Sequence, residues 1–290
     1  MKQANIFVTG ATGSVGAQLI QRLGSLNQQV KALTRRDLQS TGLDGIAHVE
    51  AVTGDLAAPA SFEAALQGVE KAFLLTNSSE QAENLQLNFV EAAHRAGVKH
   101  IVKLSQIAAS ESSPVRFLRY HAKVENRIKE LDFNYTFLRP NLYMQGLLGF
   151  KEYIRDKSQF FASIGNARVS AVDVRDIAAV AAACLTETGH ENKIYDITGP
   201  EPLSHQQMAD VFSRVLGKPI QFIDVIPDQM QAGLRAAGFP QWQVDGLIED
   251  YAHYARGEAA GVCNTVETVT GKSPICFEQF VVDYSAIFRS

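Results

Sequence analysis

The chain opens with an apolar run that turns through three glycines into an amphipathic helix pattern. Residues 6–8 are Ile, Phe and Val, followed by Gly10, Gly13 and Gly16 at three-residue spacing. Such a run predicts a buried parallel strand, and the glycines allow a tight turn that a phosphate can approach closely. The free N–H groups of a helix N-terminus attract anions. The GxxGxxG spacing, a variant of the GxGxxG fingerprint, therefore predicts a dinucleotide site. The alternative interpretation is a purely structural turn.

Composition excludes several classes of protein. The 290 residues are 46% hydrophobic, with a net charge of -4 and a pI near 6.0, which argues against nucleic acid as a partner. The three cysteines show no metal-ligand spacing, and an odd number suits a reducing compartment. The longest uncharged apolar run, residues 177–185, is too short to span a membrane. The strand pattern is reached by residue 5, so we expect no signal peptide. We expect a cytoplasmic protein without a metal site.

A second cofactor signal follows the second predicted strand. NAD-binding units place an acidic residue about 20 positions after the glycines, but here Arg35 follows the strand. A guanidinium suits a 2′-phosphate by charge and planar geometry. We therefore predict NADPH, with weaker binding of NADH; two solvated arginines, Arg35 and Arg36, are the alternative. Asp55, after the third predicted strand, is placed to meet the adenine or to cap a helix.

Alternating strand and helix patterns continue to residue 140. Short links between them predict right-handed crossovers and a parallel sheet covered on both faces, an α/β Rossmann-type doubly wound fold. Thr76 and Asn77 end the fourth strand and are expected to face the same crevice as the glycines. The strands are predicted at residues 6–8, 29–33, 48–52, 71–75, 100–104 and 135–138, and helices after the first at 58–68, 80–96 and 116–131.

The pattern changes after Pro140, where we place a domain boundary. We predict an NAD(P)-binding domain at residues 1–140, to which 167–200 return, and a smaller, mostly helical substrate-binding part at 141–290. Ser204 and Gln207 form a capping box, and Gly217 ends that helix. Further elements are predicted as helices at 141–155 and 177–186, strands at 167–172 and 193–197, and a last helix from residue 277.

Several motifs together resemble the NmrA-like family of atypical short-chain dehydrogenases. They are GATGSVG at residues 10–16, the Arg35 turn, Gly54-Asp55, AGVKHIVKLS at 96–105, YTFLRPNLYMQ at 135–145, and the segment at 186–218. The chain is most similar to the quinone oxidoreductase and triphenylmethane reductase branch, and the resemblance weakens after about residue 225. It implies a Rossmann domain that binds NADPH and a smaller substrate domain.

The expected site residues combine the residue patterns with this resemblance. We expect the acceptor at Asn141 and Tyr143, and catalysis at His121 and Ser105. The cofactor is expected to contact Gly10, Thr12, Gly13, Ser14, Val15, Gly16, Arg35, Asp55, Thr76, Asn77 and Pro140.

The resemblance fails at the acid/base pair. Ordinary members of the superfamily use Tyr-x-x-x-Lys with a serine at the end of strand five, and the tyrosine exchanges a proton with the substrate oxygen. Ser105 matches the serine, but the Tyr and Lys positions hold Phe117 and His121. Tyr120 and Lys123 are near, but they are three residues apart and off the expected helix face. Loss of the tyrosine favours acceptors such as quinones, whose reduced anion is stabilised by its own ring.

Two interpretations remain open for each of His121 and Glu125. His121 is interpreted either as a group that orients the nicotinamide ribose or donates a proton, or as a packed histidine. Glu125, one turn later, is either its i, i+4 partner or a solvated charge.

These observations lead to three functional hypotheses. The first is an NADPH-dependent oxidoreductase that passes hydride to a quinone or similar conjugated acceptor without flavin. The second is a non-catalytic NADP(H)-binding redox sensor that regulates a partner protein. A sugar-nucleotide epimerase or isoflavone-type reductase ranks third, since the first needs the Tyr/Lys pair and the second a lysine at position 121. We expect a monomer or homodimer.

Overall fold

The computed structural model describes residues 5–35, 42–43 and 45–289. The chain forms two compact units. The first comprises residues 1–113, 118–139 and 177–195, and the second comprises 114–117, 140–176 and 196–290. None of the described helices combines the length and apolar character needed to cross a membrane. Arg36 lies outside the described residues.

A seven-stranded sheet forms the centre of the first unit. Its order is β3-β2-β1-β4-β5-β6-β9, and the five pairings among β1 to β6 are all parallel. The predicted Rossmann-type fold is confirmed. The strands are β1 (Ile6–Val8), β2 (Val30–Thr34), β3 (Val49–Thr53), β4 (Lys71–Leu74), β5 (His100–Leu104), β6 (Asn134–Pro140) and β9 (Lys193–Ile197), and the helices are α1 (Ser14–Ser25), α2 (Ala82–Arg95), α3 (Arg116–Glu130) and α5 (Val174–Thr186).

The opening strand lies in the middle of this sheet because its side chains are apolar on both faces. All three residues of β1 are buried, and Phe7 stacks with Phe89 of α2 at 5.9 Å between ring centroids. Phe62 completes this aromatic cluster. The strand order reverses between β1 and β4, and ligands of open α/β sheets bind outside the carboxyl ends of the strands at such a point.

The second unit contains two small sheets and most of the remaining helices. Its core is aromatic, with Phe160, Phe212, Phe277, Phe280 and Phe288 all buried. The predicted capping box of Ser204 and Gln207 is present, and Gly217 ends the helix in a left-handed conformation. The elements are α4 (Lys151–Lys157), β7 (Gln159–Ala162) paired with β11 (Gln221–Asp224), β8 (Arg168–Val169) paired with β10 (Leu203–Ser204), α6 (His205–Leu216), α7 (Pro227–Ala236), α8 (Gln241–Ala255), α9 (Thr265–Thr270), α10 (Phe277–Asp283) and α11 (Ser285–Arg289).

Three element predictions were wrong. Residues 58–68 form two short 3-10 helices, Pro59–Ser61 and Glu63–Leu66, because their backbone closes three-residue rather than four-residue turns. Residues 141–155 begin extended, since Asn141 N–H donates to Ile197 and Met144 N–H donates to Val172; a 3-10 helix (Met144–Phe150) and α4 follow. The strand predicted at 167–172 is reduced to β8.

Candidate dinucleotide and proton-transfer site

The glycine turn after β1 is shaped by close backbone packing. Gly10 has φ +64°, and a Cβ there would lie 2.8 Å from the Leu75 carbonyl oxygen. A Cβ on Gly16 would lie 2.0 Å from the Gly10 carbonyl oxygen, so only glycine fits. At Gly13 the nearest atom to an added Cβ is 3.4 Å away, which is ordinary contact. Gly10 and Gly16 therefore fix the turn, whereas Gly13 leaves its surface open.

Helix α1 presents its N-terminus at this turn. Gly13 is the N-cap residue, and no side chain caps the helix. The first N–H groups of a helix have no partner within it. Thr12, Gly13 and Ser14 are exposed, whereas Val15 and Gly16 are buried on the core side of α1. The first turn of α1 carries no acidic residue to repel an anion.

The carboxyl end of β4 is tied to this turn by one threonine. Thr9 Oγ1 donates to the Leu75 carbonyl at 2.9 Å and accepts from the Leu75 N–H at 2.8 Å. Thr76 and Asn77 follow directly, so the structure brings them to the same edge of the sheet as the glycine turn. The Thr76 hydroxyl accepts from Gln86 Nε2 at 2.8 Å, and Asn77 is exposed.

Arg35 and Asp55 lie at the ends of β2 and β3. Arg35 is exposed and follows Thr34, the last residue of β2. No ion pair between Arg35 and an acidic side chain is found within residues 5–35, 42–43 and 45–289. Asp55 Oδ1 accepts from the Ala57 N–H at 2.9 Å, two residues along. Its carboxylate thus closes a local turn and does not cap the 3-10 helix that begins at residue 59.

Ser105 belongs to a buried hydrogen-bond network beneath α3. Its hydroxyl donates to Glu125 Oε1 at 2.5 Å, and Arg139 donates to both oxygens of the same carboxylate. Glu125 is 1% exposed. Glu125 is therefore neither a solvated charge nor the hydrogen-bond partner of His121, because its two oxygens serve Ser105 and Arg139. The Ser105 proton is held by this carboxylate.

His121 is paired with a lysine that sequence reasoning missed. Lys103 Nζ lies 2.7 Å from His121 Nδ1 and donates to the Leu104 carbonyl at 3.1 Å. Burial lowers the pKa of Lys103 to about 7, with Glu125 opposing this shift and Arg139 adding to it. Burial, Lys103 and Arg139 hold the pKa of His121 well below its usual range. Lys103 was not predicted because a single lysine within a strand forms no recognisable motif. The one available indication was its position two residues before Ser105.

The residues near the superfamily's tyrosine position have other contacts. The Tyr120 hydroxyl lies 3.3 Å from Ser78 Oγ, and Lys123 forms a 3.2 Å ion pair with Glu83. Lys123 therefore does not form the Tyr/Lys arrangement expected of ordinary members. Phe117 is 4% exposed and packs with Trp242 at 5.4 Å between ring centroids. The second unit thus uses position 117 for packing.

The predicted residues at and just after the end of β6 belong to the second unit. Pro140 is buried. Both N–H groups of the Asn141 amide are used, one on Ser170 Oγ and one on the Ala259 carbonyl, each at 2.8 Å. Asn141 therefore has no free side-chain N–H for a ligand, and we do not keep it as an acceptor-binding residue. Tyr143 is half-buried and forms a bridge with Val172.

The residues at the first turn of α1 fit a dinucleotide. A Cβ would collide at Gly10 and Gly16, which keeps the helix N-terminus close to the strand end, while the surface at Gly13 is open. The pyrophosphate would rest on the amides of the first turn, and Arg35 would meet a 2′-phosphate. The fold and the turn therefore define a dinucleotide-binding α/β protein.

The chain belongs to the NmrA-like family, whose model matches residues 2–268. It is 34% identical over 288 residues to an NAD(P)H azoreductase from Xenophilus azovorans, covering 98% of this chain and 99% of the relative. The NADPH complex of a quinone oxidoreductase from Escherichia coli superposes with a TM-score of 0.88 at 25% identity, covering 97% of this chain and 99% of that one. A Citrobacter sp. triphenylmethane reductase complexed with NADP(H) gives a TM-score of 0.83 at 28% identity, with coverage of 96% and 99%.

Proposed function

We propose that this protein is an NADPH-dependent oxidoreductase that passes hydride directly to a quinone or a similar conjugated acceptor, without flavin. NADPH supplies the hydride. The chain holds the pyrophosphate on the first-turn amides of α1, with Gly13 leaving room for it, and Arg35 selects the 2′-phosphate. The names of its relatives as azo, quinone and dye reductases support this class of acceptor.

One observation carries the choice of acceptor. The position of the usual acid holds Phe117, and the Ser105 hydroxyl that would assist it donates to a buried carboxylate. Reduction of a plain ketone creates a strongly basic alkoxide that needs a positioned acid. A conjugated acceptor spreads the new negative charge over its own ring, so its reduction places less demand on the protein. The site is therefore matched to acceptors of this kind.

His121 is the remaining side chain suited to handle a proton. It lies on α3, on the same face of the sheet as Ser105, and its pKa is held low, so the ring is neutral at pH 7. A neutral imidazole carries one proton and one lone pair, and it can both give and accept a proton. We assign to His121 the contact with the reduced acceptor.

The test is an anaerobic assay of flavin-free protein with NADPH. Oxidation of NADPH by 1,4-benzoquinone and by a soluble azo dye, but not by simple ketones, is the expected result. Equal activity toward cyclohexanone would contradict the argument from Phe117. Tight binding of NADP(H) with no turnover across all acceptors would instead favour the redox-sensing alternative, provided that the oxidised and reduced forms bind with different affinity.

A further inference from the structure

Lys103 is a fully buried lysine on β5, with 0% exposure. Its strand neighbours in register are Leu74 and Phe137, which are apolar. The described chain contains no carboxylate within ion-pair distance of its Nζ; the nearest carboxylate in its network, Glu125, is bonded to Ser105 and Arg139. Buried lysines without such a partner are rare because desolvation of the charge is costly. A lysine kept there despite this cost points to a role that an apolar residue cannot fill.

The hydrogen bond from Lys103 decides which nitrogen of His121 carries the proton. The ammonium donates to Nδ1 at 2.7 Å, so Nδ1 presents its lone pair and the proton of the neutral ring is on Nε2. Nε2 is the other ring nitrogen and makes no part of the contact with Lys103. His121 is 8% exposed, and the contact with the acceptor assigned to it above would be made by this Nε2–H.

We propose that Lys103 supplies, through His121, the proton that completes reduction of the acceptor. The proposal rests on the function proposed above and names the proton source of the same site. Once hydride has been added to one end of an N=N or quinoid system, the electron pair at the other end takes the proton from His121 Nε2. His121 Nδ1 takes a proton from the Lys103 ammonium at the same time. Lys103 becomes a neutral amine. After the product leaves, His121 Nε2 takes a proton from solvent and Nδ1 returns its proton to Lys103, because the amine itself is fully buried.

The charges around Lys103 suit this exchange. The titratable and charged groups that face it are His121 and Glu125 of α3 and Arg139 of β6. Because its pKa lies near 7, the ammonium and the amine are both accessible at neutral pH, as a group that gives and regains a proton requires. The direction follows: activity that needs the ammonium is present below pH 7 and declines as the pH rises through about 7.

Three acceptors separate this proton route from hydride transfer. Reduction of an azo dye leaves a nitrogen anion that is a stronger base than the hydroquinone anion left by reduction of 1,4-benzoquinone. A cationic triphenylmethane dye takes hydride to give a neutral product and needs no proton. The experiment measures kcat for all three at saturating NADPH, from pH 5.5 to the limit at which the dye stays cationic. The proteins compared are wild type, Lys103→Met and the matched control Lys123→Met, which changes an exposed lysine of α3.

We expect Lys103→Met to lower kcat with the azo dye by about 100-fold, with benzoquinone by less, and with the cationic dye hardly at all. Lys123→Met leaves all three unchanged. Wild type shows the decline near pH 7, and a solvent deuterium effect, with the azo dye but not with the cationic dye. An equal loss across the three acceptors, or a wild-type pH profile that is the same for all three, would overturn the proton route. Should Lys103→Met fail to fold, the wild-type profiles decide. No turnover of any acceptor would instead overturn the proposed function.

Discussion

The two halves of the candidate site are built in opposite ways. The turn at α1 is made of backbone, carries no ionisable side chain and is open to solvent at Thr12, Gly13 and Ser14. The network beneath α3 is made of charged side chains that are almost completely buried, with Lys103 and Glu125 at 0% and 1% exposure. In the proposed complex, the backbone amides of the turn bind a phosphate, whose charge does not change during the reaction. In the proposed reaction the network changes its proton content, which backbone amides cannot do.

The largest effect is expected from a substitution in the backbone turn, at Gly16. In Gly16→Ala the new Cβ would meet the Gly10 carbonyl oxygen at 2.0 Å, and backbone on both sides must shift. We expect a loss of about 3–5 kcal/mol in the free energy of unfolding, together with loss of NADPH binding. Chemical denaturation with and without NADPH measures both effects.

Gly261→Ala is the matched control, because nothing lies within 4 Å of a Cβ at that position. It should leave both quantities unchanged. Normal NADPH affinity in a folded Gly16→Ala protein would show that the turn does not hold the cofactor.

The buried network can be tested at Glu125. Glu125→Gln removes the charge that faces Arg139 while keeping one oxygen that can accept from Ser105, and breaking a buried pair costs about 3 kcal/mol. Because Glu125 raises the pKa of Lys103, its removal should also move the pH at which azo reduction declines to a lower value. Glu130→Gln, which breaks an exposed pair with Arg127, is the control and should change neither quantity. A decline that stays at the wild-type pH would separate Glu125 from Lys103.

The same contrast explains what the sequence could predict. The Gly10, Gly13 and Gly16 turn is a local pattern, since its residues are adjacent and their spacing already states the geometry. The strands and long helices were found because apolar periodicity is also local. The parallel sheet was predicted from the short links between alternating strands and helices.

The network beneath α3 could not be predicted in this way. Lys103 and His121 are 18 residues apart, and Ser105 and Glu125 are 20 apart, so their pairing depends on how α3 docks onto β5. The sequence identified Ser105 and His121 by resemblance. It left Glu125 either as the partner of His121 or as a solvated charge, whereas His121 contacts Lys103 and Glu125 is buried. Asn141 was expected at the acceptor, whereas its amide joins segments of the second unit.

The smallest of these effects concerns the choice between NADPH and NADH at Arg35. Arg35→Ala removes a cation that is exposed at the end of β2, and the loss of charged hydrogen bonds to a 2′-phosphate costs about 1.5–3 kcal/mol of binding, or roughly 10- to 150-fold in Kd. NADH, which lacks this phosphate, should bind the variant as well as it binds wild type. Titration of intrinsic cofactor fluorescence at two salt concentrations measures both affinities. Arg22→Ala, in the last turn of α1 and away from its N-terminus, is the matched control and should leave both affinities unchanged. An equal loss of affinity for the two cofactors would mean that Arg35 supports the glycine turn itself. Phosphate binding by the turn would then depend on a charged side chain and not on backbone alone.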